Sequence, residues 1–278
     1  MDKFNSKNYC FIIPTYNPNK NFKDVIKKLS KLKAQIFLFD NNSKDKKYLE
    51  NIRDIEIEYS NQNYGYGYGI NFFIKKYYNK FEWFGMLDQD SLLNEKYINF
   101  INEKFNFDEN NVGLIGTNVK YRNLNKKLIN LDLKKDFHRK KTLICSGTFI
   151  NKSLIEKFGY LKESFFMEYI DVEYCLRLEK SGYSNFITSY PFLNQKFGNN
   201  QKKYFFGRLL NIDNHNPERY FFRSHNLKYC IKFYLFHETA EVLLHIFNFF
   251  KMYLKIILFE NFKLKKTYLI FKGFIKKL

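Results

Sequence analysis

An α/β fold, with a mostly parallel central sheet flanked by helices and a helical extension at the C-terminal end, is predicted by three features of the sequence. Short apolar runs alternate with amphipathic helical patterns through the first half of the chain, as crossover units of a parallel sheet require. Those runs end in polar clusters, and in an open α/β sheet the ends of the strands are where ligands bind. From Lys228 onward the pattern changes to basic amphipathic helices. The expected division is an α/β domain over 1–225 and a basic helical extension over 226–278.

Tyr9–Ile13 is the first strand candidate, closed by Pro14-Thr15-Tyr16-Asn17-Pro18, which is turn chemistry with two prolines. Phe22, Val25, Ile26, Leu29 and Leu32 recur at steps of three and four, predicting a helix with lysines on its outer face. Ile36–Phe39 is a second buried strand running into Asp40-Asn41-Asn42-Ser43, and Ile55–Tyr59 a third running into Asn61-Gln62-Asn63-Tyr64-Gly65-Tyr66-Gly67-Tyr68-Gly69. The glycines there are spaced GxGxG, which fits either a flexible turn before a helix over Ile70–Tyr78 or a backbone laid against a nucleotide. Phe81–Leu87 supplies the fourth strand, and a helix near Lys96–Lys104 leads to a fifth at Val112–Thr117. Asn118–Arg139 reads as a polar excursion, Leu143–Ile150 as a return to the core, and Lys152–Phe158 as a helix. Another helix begins near Asp171 and ends at Ser181-Gly182-Tyr183, after which Phe186–Thr188 is the last short strand expected.

The 278-residue length suits one large domain or a domain with an appendage. Lys and Arg total 47 against 28 Asp and Glu, a formal net charge of +19 that favours nucleic acid, anionic lipid headgroups or phosphorylated substrates as partners. Cys10, Cys145, Cys175 and Cys230 form no CxxC pair, so neither a zinc site nor a disulfide framework is indicated, and a reducing cytoplasm is expected. Residues 1–8 are polar and no signal peptide is expected. Val242–Phe259 is strongly apolar, but His245, Asn248, Lys251 and Lys255 recur as one polar stripe, which predicts an amphipathic rather than a spanning helix.

Two acidic clusters carry the chemistry. Asp88 and Asp90 follow an apolar run, and on an extended chain side chains two apart point the same way, the geometry for sharing one hard cation. The same two acids would also serve as the cap of a following helix. Glu168, Asp171 and Glu173 sit among large apolar residues, where an ionised carboxylate needs a metal, an arginine or a substrate. At the start of a helix the dipole keeps Asp171 ionised, as a base requires; the alternative is an N-cap, with Glu173 paired to Arg177 at i, i+4.

Taken together, these residues resemble glycosyltransferase family 2 enzymes of the bacterial rhamnosyltransferase and galactofuranosyltransferase type, over roughly Phe11 to Arg223. Ile13-Pro14-Thr15-Tyr16-Asn17-Pro18 is similar to the family's opening strand and turn, Asp40-Asn41-Asn42-Ser43 to its second strand exit, and Asn63-Tyr64-Gly65 with Asn71 to its nucleotide-side loop. Leu87-Asp88-Gln89-Asp90-Ser91 resembles its metal-binding DxD, in the DQDS form common among rhamnosyltransferases.

The resemblance implies a GT-A (nucleotide-diphospho-sugar transferase) fold with 1–225 as the catalytic domain. It also implies inverting transfer of a hexosyl unit from dTDP-rhamnose or a UDP-hexose to a hydroxyl of a surface glycan. Mn²⁺ or Mg²⁺ would sit on Asp90 with Asp88 nearby, and Pro14, Thr15, Asn17, Asp40, Asn41, Asn63, Gly65 and Asn71 would line the donor side. Asp171 would be the general base, Glu173 part of the same acceptor-side motif, and Arg219 and Arg223 a late basic-aromatic segment of the substrate site. Gln195 stands where many relatives carry a metal-binding histidine, and a glutamine carbonyl is a weaker, neutral ligand for a hard cation. Lys196 beside it would offer charge to the diphosphate, and Ser224 replaces a frequent Asn.

A lipid-linked acceptor suits the basic tail, so the expected location is cytoplasmic and peripheral, against the anionic inner face of the cell membrane. Two further readings compete: a catalytically weakened family member acting as an assembly partner, prompted by Gln195, and a nucleic-acid-binding protein, prompted by the +19 charge. Nucleic acid is not the expected partner, because no reader motif is present and acidic strand exits repel phosphate unless metal-bound.

Overall fold

In the computed structural model, which describes residues 1–278 except 6, 51, 53–54, 122–125, 128, 196–200 and 206–207, the chain begins with β1 (Tyr9–Thr15), buried along its whole length. α1 (Phe22–Leu29) follows, and Phe22, Val25, Ile26 and Leu29 form its buried face. Each such side chain contributes about 1.5–3 kcal/mol by leaving water. A 3-10 turn (Ser30–Leu32) leads to β2 (Gln35–Asp40) and β3 (Glu56–Tyr59).

α2 (Tyr66–Lys76) starts four residues before the predicted Ile70, so Gly67 and Gly69 lie inside the helix rather than in a turn. The reason is packing: a Cβ on Gly69 would stand 3.0 Å from the Phe39 ring. Then come β4 (Trp83–Met86), β5 (Leu92–Leu93), α3 (Tyr97–Lys104) and β6 (Val112–Tyr121). β6 runs beyond the expected end at Thr117, because Asn118 is satisfied inside the sheet, its Nδ2 donating to Ile129 O at 2.8 Å. β7 (Lys126–Lys127) and β8 (Phe137–Arg139) form the excursion. β9 (Thr148–Asn151), α4 (Lys152–Phe158), α5 (Ile170–Lys180) and β10 (Ser184–Gln195) complete this part. β10 extends well past the expected Thr188; it accommodates Pro191 by shifting register against β6 there, the place a sheet tolerates proline.

These strands form one sheet in the order β3-β2-β1-β4-β9-β6-β10-β5, with β7 on β6 and β8 on β10. The β3-β2-β1-β4 run and the β6/β10 pair are parallel, while β9 enters antiparallel between β4 and β6. The carboxyl ends of β1, β2 and β4 therefore open on one edge.

By internal contacts the chain separates into Met1–Phe166 with Ile170–Lys196, and Met167–Tyr169 with Phe197–Leu278. The second unit contains a hairpin, β11 (Gln201–Phe205) with β12 (Arg208–Ile212), and three helices, α6 (Pro217–Tyr234), α7 (Thr239–Phe259) and α8 (Lys263–Ile275). Its division falls near 197 rather than at the expected 226, because α6 packs with α7 and α8 around Tyr220, Ile256 and Ile270. α6 and α8 cross closely, since a Cβ on Gly273 would come within 2.1 Å of Ser224 Oγ; the small side chain of Ser224 fits that crossing. Lys266 is wholly buried, donating to Glu260 at 2.7 Å and Asn214 at 2.9 Å, while the Tyr220 hydroxyl donates to Glu260 at 2.7 Å.

In α7 the predicted polar stripe divides, with Asn248 and Lys251 exposed. His245 and Lys255 turn toward their own unit, His245 beside Glu241 at 3.6 Å and Lys255 donating to Asn211 O at 3.0 Å. The exposed side is largely apolar.

Candidate active site

β4 delivers the acid pair to the open edge, where a short turn holds it from two sides. Asp88 N–H donates to Ser146 Oγ at 3.0 Å, and Ser146 Oγ lies 2.7 Å from Ser91 Oγ. Gln89 staples the turn to the exit of β1, accepting from Tyr16 N at 2.9 Å and donating to Tyr16 O at 3.3 Å. No helix follows directly: β5 comes next, and α3 has Lys96 as its N-cap, so the helix-cap alternative for Asp88 and Asp90 does not hold.

The carboxylates are crowded. Burial, then the charge of Asp90, with Asp171 adding, pushes the Asp88 carboxyl up to about 6. Against that rise, the Gln195 side-chain amide donates to Asp88 Oδ2 at 2.5 Å. The Tyr66 hydroxyl is buried beside Asp88 and Asp171, and burial followed by their charges raises its pKa well above the ordinary value. A divalent cation would offset the charge that burial and Asp90 make unfavourable on Asp88, with Asp88 and Asp90 as its anionic ligands; Gln195 faces Asp88 with its amide N–H, and its carbonyl would be the neutral ligand only after that amide turned. Among the described residues no cluster of three or more His, Cys, Asp or Glu stands ready as a metal site, so a cation here would draw further ligands from water or substrate.

Asp171 lies in the first turn of α5, and its carboxylate accepts from Val172 N at 2.8 Å and Cys145 N at 3.3 Å. Glu173 behaves differently. It is 1% exposed and bridges to Arg177, whose Nε donates to it at 3.2 Å and whose Nη1 donates to Phe158 O and Tyr160 O, each at 2.9 Å. The expected substrate role for Glu173 gives way to the intrahelical pair, which ties α5 to the end of α4.

The donor-side residues form the framework of the edge. Asp40 is fully buried and turned inward, accepting from Thr15 Oγ1 at 3.3 Å and Ser43 N at 3.0 Å, so it shapes the loop instead of presenting its carboxylate to a ligand. Pro14 is buried in β1, and Asn17 N donates to Ser43 Oγ at 2.8 Å. Asn41 Oδ1 accepts from Tyr64 N at 3.1 Å, and Asn63 Oδ1 from Gly65 N at 3.0 Å. Gly65, at φ 90°, is indispensable: a Cβ would stand 2.3 Å from Phe166 O. Asn71 is also buried and clamps the backbone of Leu161, donating to its O at 2.8 Å and accepting from its N at 3.1 Å, a structural role in place of the expected ligand contact.

In the second unit, Arg219 and Arg223 are both engaged by Glu168, with Arg223 Nε donating to it at 2.7 Å. Burial alone would raise the Glu168 carboxyl, but Arg223 and Arg219 outweigh it and hold it at about 2. Glu168 and Tyr169 both adopt positive φ, 64° and 62°, and Asn226 Nδ2 donates to Met167 O and Glu168 O at 2.9 and 2.8 Å. The two arginines, expected on the substrate side, form an ion pair with Glu168 in this structure, and Arg219 keeps 44% of its side chain exposed. Lys196 lies outside the described residues.

Ser146, Gln89 and Tyr66 were not singled out by sequence reasoning. The signal for Ser146 was a Cys-Ser-Gly-Thr break in an apolar run: β9 begins only at Thr148, and 143–147 form a loop against the acid pair, with Gly147 N donating to Met86 O at 2.8 Å.

The glycosyl transferase family 2 profile matches residues 10–162, more than half of the chain, a span that includes Asp88 and Asp90 and stops short of Asp171 and Gln195. No curated protein matches the chain. Among solved structures, S. aureus TarS 1-349 superposes with a TM-score of 0.62 at 16% identity, over 96% of this chain and 80% of that one. A second S. aureus TarS structure gives 0.58 at 15% identity, over 91% of this chain and 44% of that one. GalNAc-T7 with UDP, GalNAc and Mn²⁺ gives 0.53 at 10% identity, over 69% and 44%. These likenesses establish a GT-A-like fold: a mostly parallel sheet with flanking helices and further helices at the C-terminal end. With the profile match added, the chain belongs to glycosyl transferase family 2, the inverting glycosyltransferases that take a sugar from a nucleotide sugar.

Proposed function

We propose that this enzyme moves a hexosyl unit from a nucleotide diphosphate sugar to a hydroxyl of a bacterial surface glycan such as O-antigen or capsule, presented on a lipid at the cytoplasmic face of the membrane. The donor is dTDP-rhamnose in first place, with UDP-galactofuranose or another UDP-hexose behind it. The observation carrying this reading is Asp88, placed at the exit of β4 within the electrostatic reach of both Asp90 and Asp171. Three carboxylates within electrostatic reach of one another support the reading of a cation-binding pair with a base beside it. The DQDS sequence of residues 88–91 supports rhamnose through its likeness to rhamnosyltransferases, and the UDP and Mn²⁺ of the GalNAc-T7 structure support a nucleotide diphosphate with a divalent ion.

Asp171, oriented by the Val172 and Cys145 amides, accepts the acceptor hydroxyl proton as that oxygen bonds to the anomeric carbon. The bond from that carbon to the diphosphate oxygen breaks on the opposite side, and the nucleotide diphosphate leaves with the electron pair. A single displacement of this kind inverts the anomeric centre. Asp88 and Asp90, with Gln195, would hold Mn²⁺ or Mg²⁺, which when bound would supply charge neutralisation for the leaving diphosphate. Ser146 and Gln89 hold the turn that carries the pair.

The test is nucleotide diphosphate release from a panel of dTDP- and UDP-sugars, with Mn²⁺, Mg²⁺ or chelator and with a lipid-linked acceptor, beside Asp90→Asn. Metal-dependent release from dTDP-rhamnose, lost in the variant, is the expected result. Release from a different donor overturns the rhamnose assignment. Absence of both release and nucleotide binding overturns transfer.

A further inference from the structure

We infer that the outward faces of α7 and α8 form a docking surface for an anionic lipid bilayer. On α7, Leu243, Phe247, Phe250, Leu254 and Ile257 recur at steps of three and four and are 42–56% exposed. On α8, Leu264, Tyr268, Phe271 and Ile275 repeat in the same way and are 58–88% exposed. A helix in water normally buries such a stripe and exposes its polar residues. α7 instead exposes the stripe beside Asn248 and Lys251, keeping Glu241, His245 and Lys255 toward its own unit.

Charge decides which occupant fits. Residues 239–278 hold eight lysines and two acids, Glu241 and Glu260, whose side chains are only 11% and 2% exposed. The exposed charged side chains are Lys251, Lys263, Lys265, Lys272, Lys276 and Lys277, all positive. Protein interfaces are depleted in lysine, and two copies of a +19 chain would bring like charges together. Lys265 pairs with the exposed Glu218 of α6, and the other five lysines rim an apolar stripe, the composition of a helix lying in a lipid headgroup layer. α7 is long and apolar enough to cross a membrane by length and composition, yet its inner side is occupied by its own unit, with Val242 and Ile256 buried and Phe249, Met252 and Tyr253 packed in the helical core. That places it in the plane of the interface. The inference goes beyond sugar transfer and stands on the second unit alone, so its failure leaves the donor assignment untouched.

The experiment is flotation of the full chain with phosphatidylcholine vesicles and with vesicles containing about one third phosphatidylglycerol. Binding at least about tenfold stronger to the anionic vesicles, and declining with salt, is expected. The triple variant Phe247→Gln, Phe250→Gln, Leu254→Gln should weaken binding about tenfold or more while circular dichroism and turnover on a soluble acceptor stay unchanged. Lys251→Gln with Lys272→Gln and Lys277→Gln should abolish the preference for anionic lipid. No flotation with either vesicle overturns the proposal. So does equal, salt-independent binding that survives alkaline carbonate, which would mean a spanning helix, and so does a dimer in solution that the apolar triple variant dissociates.

Discussion

The Gln195 side-chain amide donates to Asp88 Oδ2 at 2.5 Å, joining the end of β10 to the exit of β4. A neutral donor thereby offsets part of the charge that burial and Asp90 make unfavourable on Asp88. Gln195→Ala is expected to weaken Mn²⁺ binding in the presence of nucleotide by about tenfold, and Gln195→His to tighten it, read by electron paramagnetic resonance titration. Identical titrations for all three proteins would remove Gln195 from the metal site.

Asp171→Asn keeps the size of the side chain and removes the base. Turnover should fall by about 10²–10⁴-fold, while nucleotide affinity from calorimetry stays close to that of the parent protein. A parallel loss of nucleotide affinity would mark Asp171 as a donor-binding residue instead.

Gly65→Ala puts a methyl group 2.3 Å from Phe166 O at a φ of 90°. Both the left-handed backbone and the collision with backbone oppose the change, at a cost of about 2–4 kcal/mol in chemical denaturation. The Tyr66 N–H to Phe166 O hydrogen bond of 3.1 Å would be disturbed with it.

Glu168→Gln leaves Arg219 and Arg223 without their shared carboxylate and should destabilise the protein by about 3–5 kcal/mol. The ionised carboxyl is held at about 2, below its ordinary 4.5, so its contribution is complete above pH 4.5 and disappears as pH falls toward 2. Urea midpoints across that window should drop in the parent protein and change less in the variant.

His215 titrates in the same unit at higher pH. Burial, then the charges of Arg219 and Arg223, lower it from 6.5 to about 4, so the folded state keeps the ring neutral where the unfolded chain protonates it. Stability should therefore be full above pH 6.5 and decline as pH falls toward 4, and His215→Gln should flatten that part of the curve.

The alternating pattern revealed the parallel strands and their exits because each strand is a short apolar run ending in polar residues, which local sequence records. Asp88 and Asp90 stood out for the same reason. What local sequence does not record is where a polar side chain turns. Asp40, Asn71, Arg219 and Arg223 were all legible as charged or polar residues in functional-looking company, yet their partners include Thr15, Leu161 and Glu168, distant in sequence, whereas the Glu173–Arg177 pair, four residues apart, was legible as an alternative. Thr117 and Asn118 looked like the end of a strand because their hydrogen bonds, to Thr188 and Ile129 among others, come from other segments. The facing of α7 was not legible, because a polar stripe fits solvent or a buried pair equally well until its neighbours are known.

The three residues Met167–Tyr169 belong to the second unit although the chain on either side belongs to the first. Those three residues and their partners therefore count as one set with the second unit, which changes how the protein can be cut. A fragment ending at 196 would keep Glu168 and Tyr169 in their left-handed conformations with neither Arg219, Arg223 nor Asn226 to secure them, two residues ahead of Asp171. Helical tails in such an arrangement are not exchangeable by a single crossover near residue 200, and recombination between relatives would have to carry the 167–169 segment and its arginines as one heritable set.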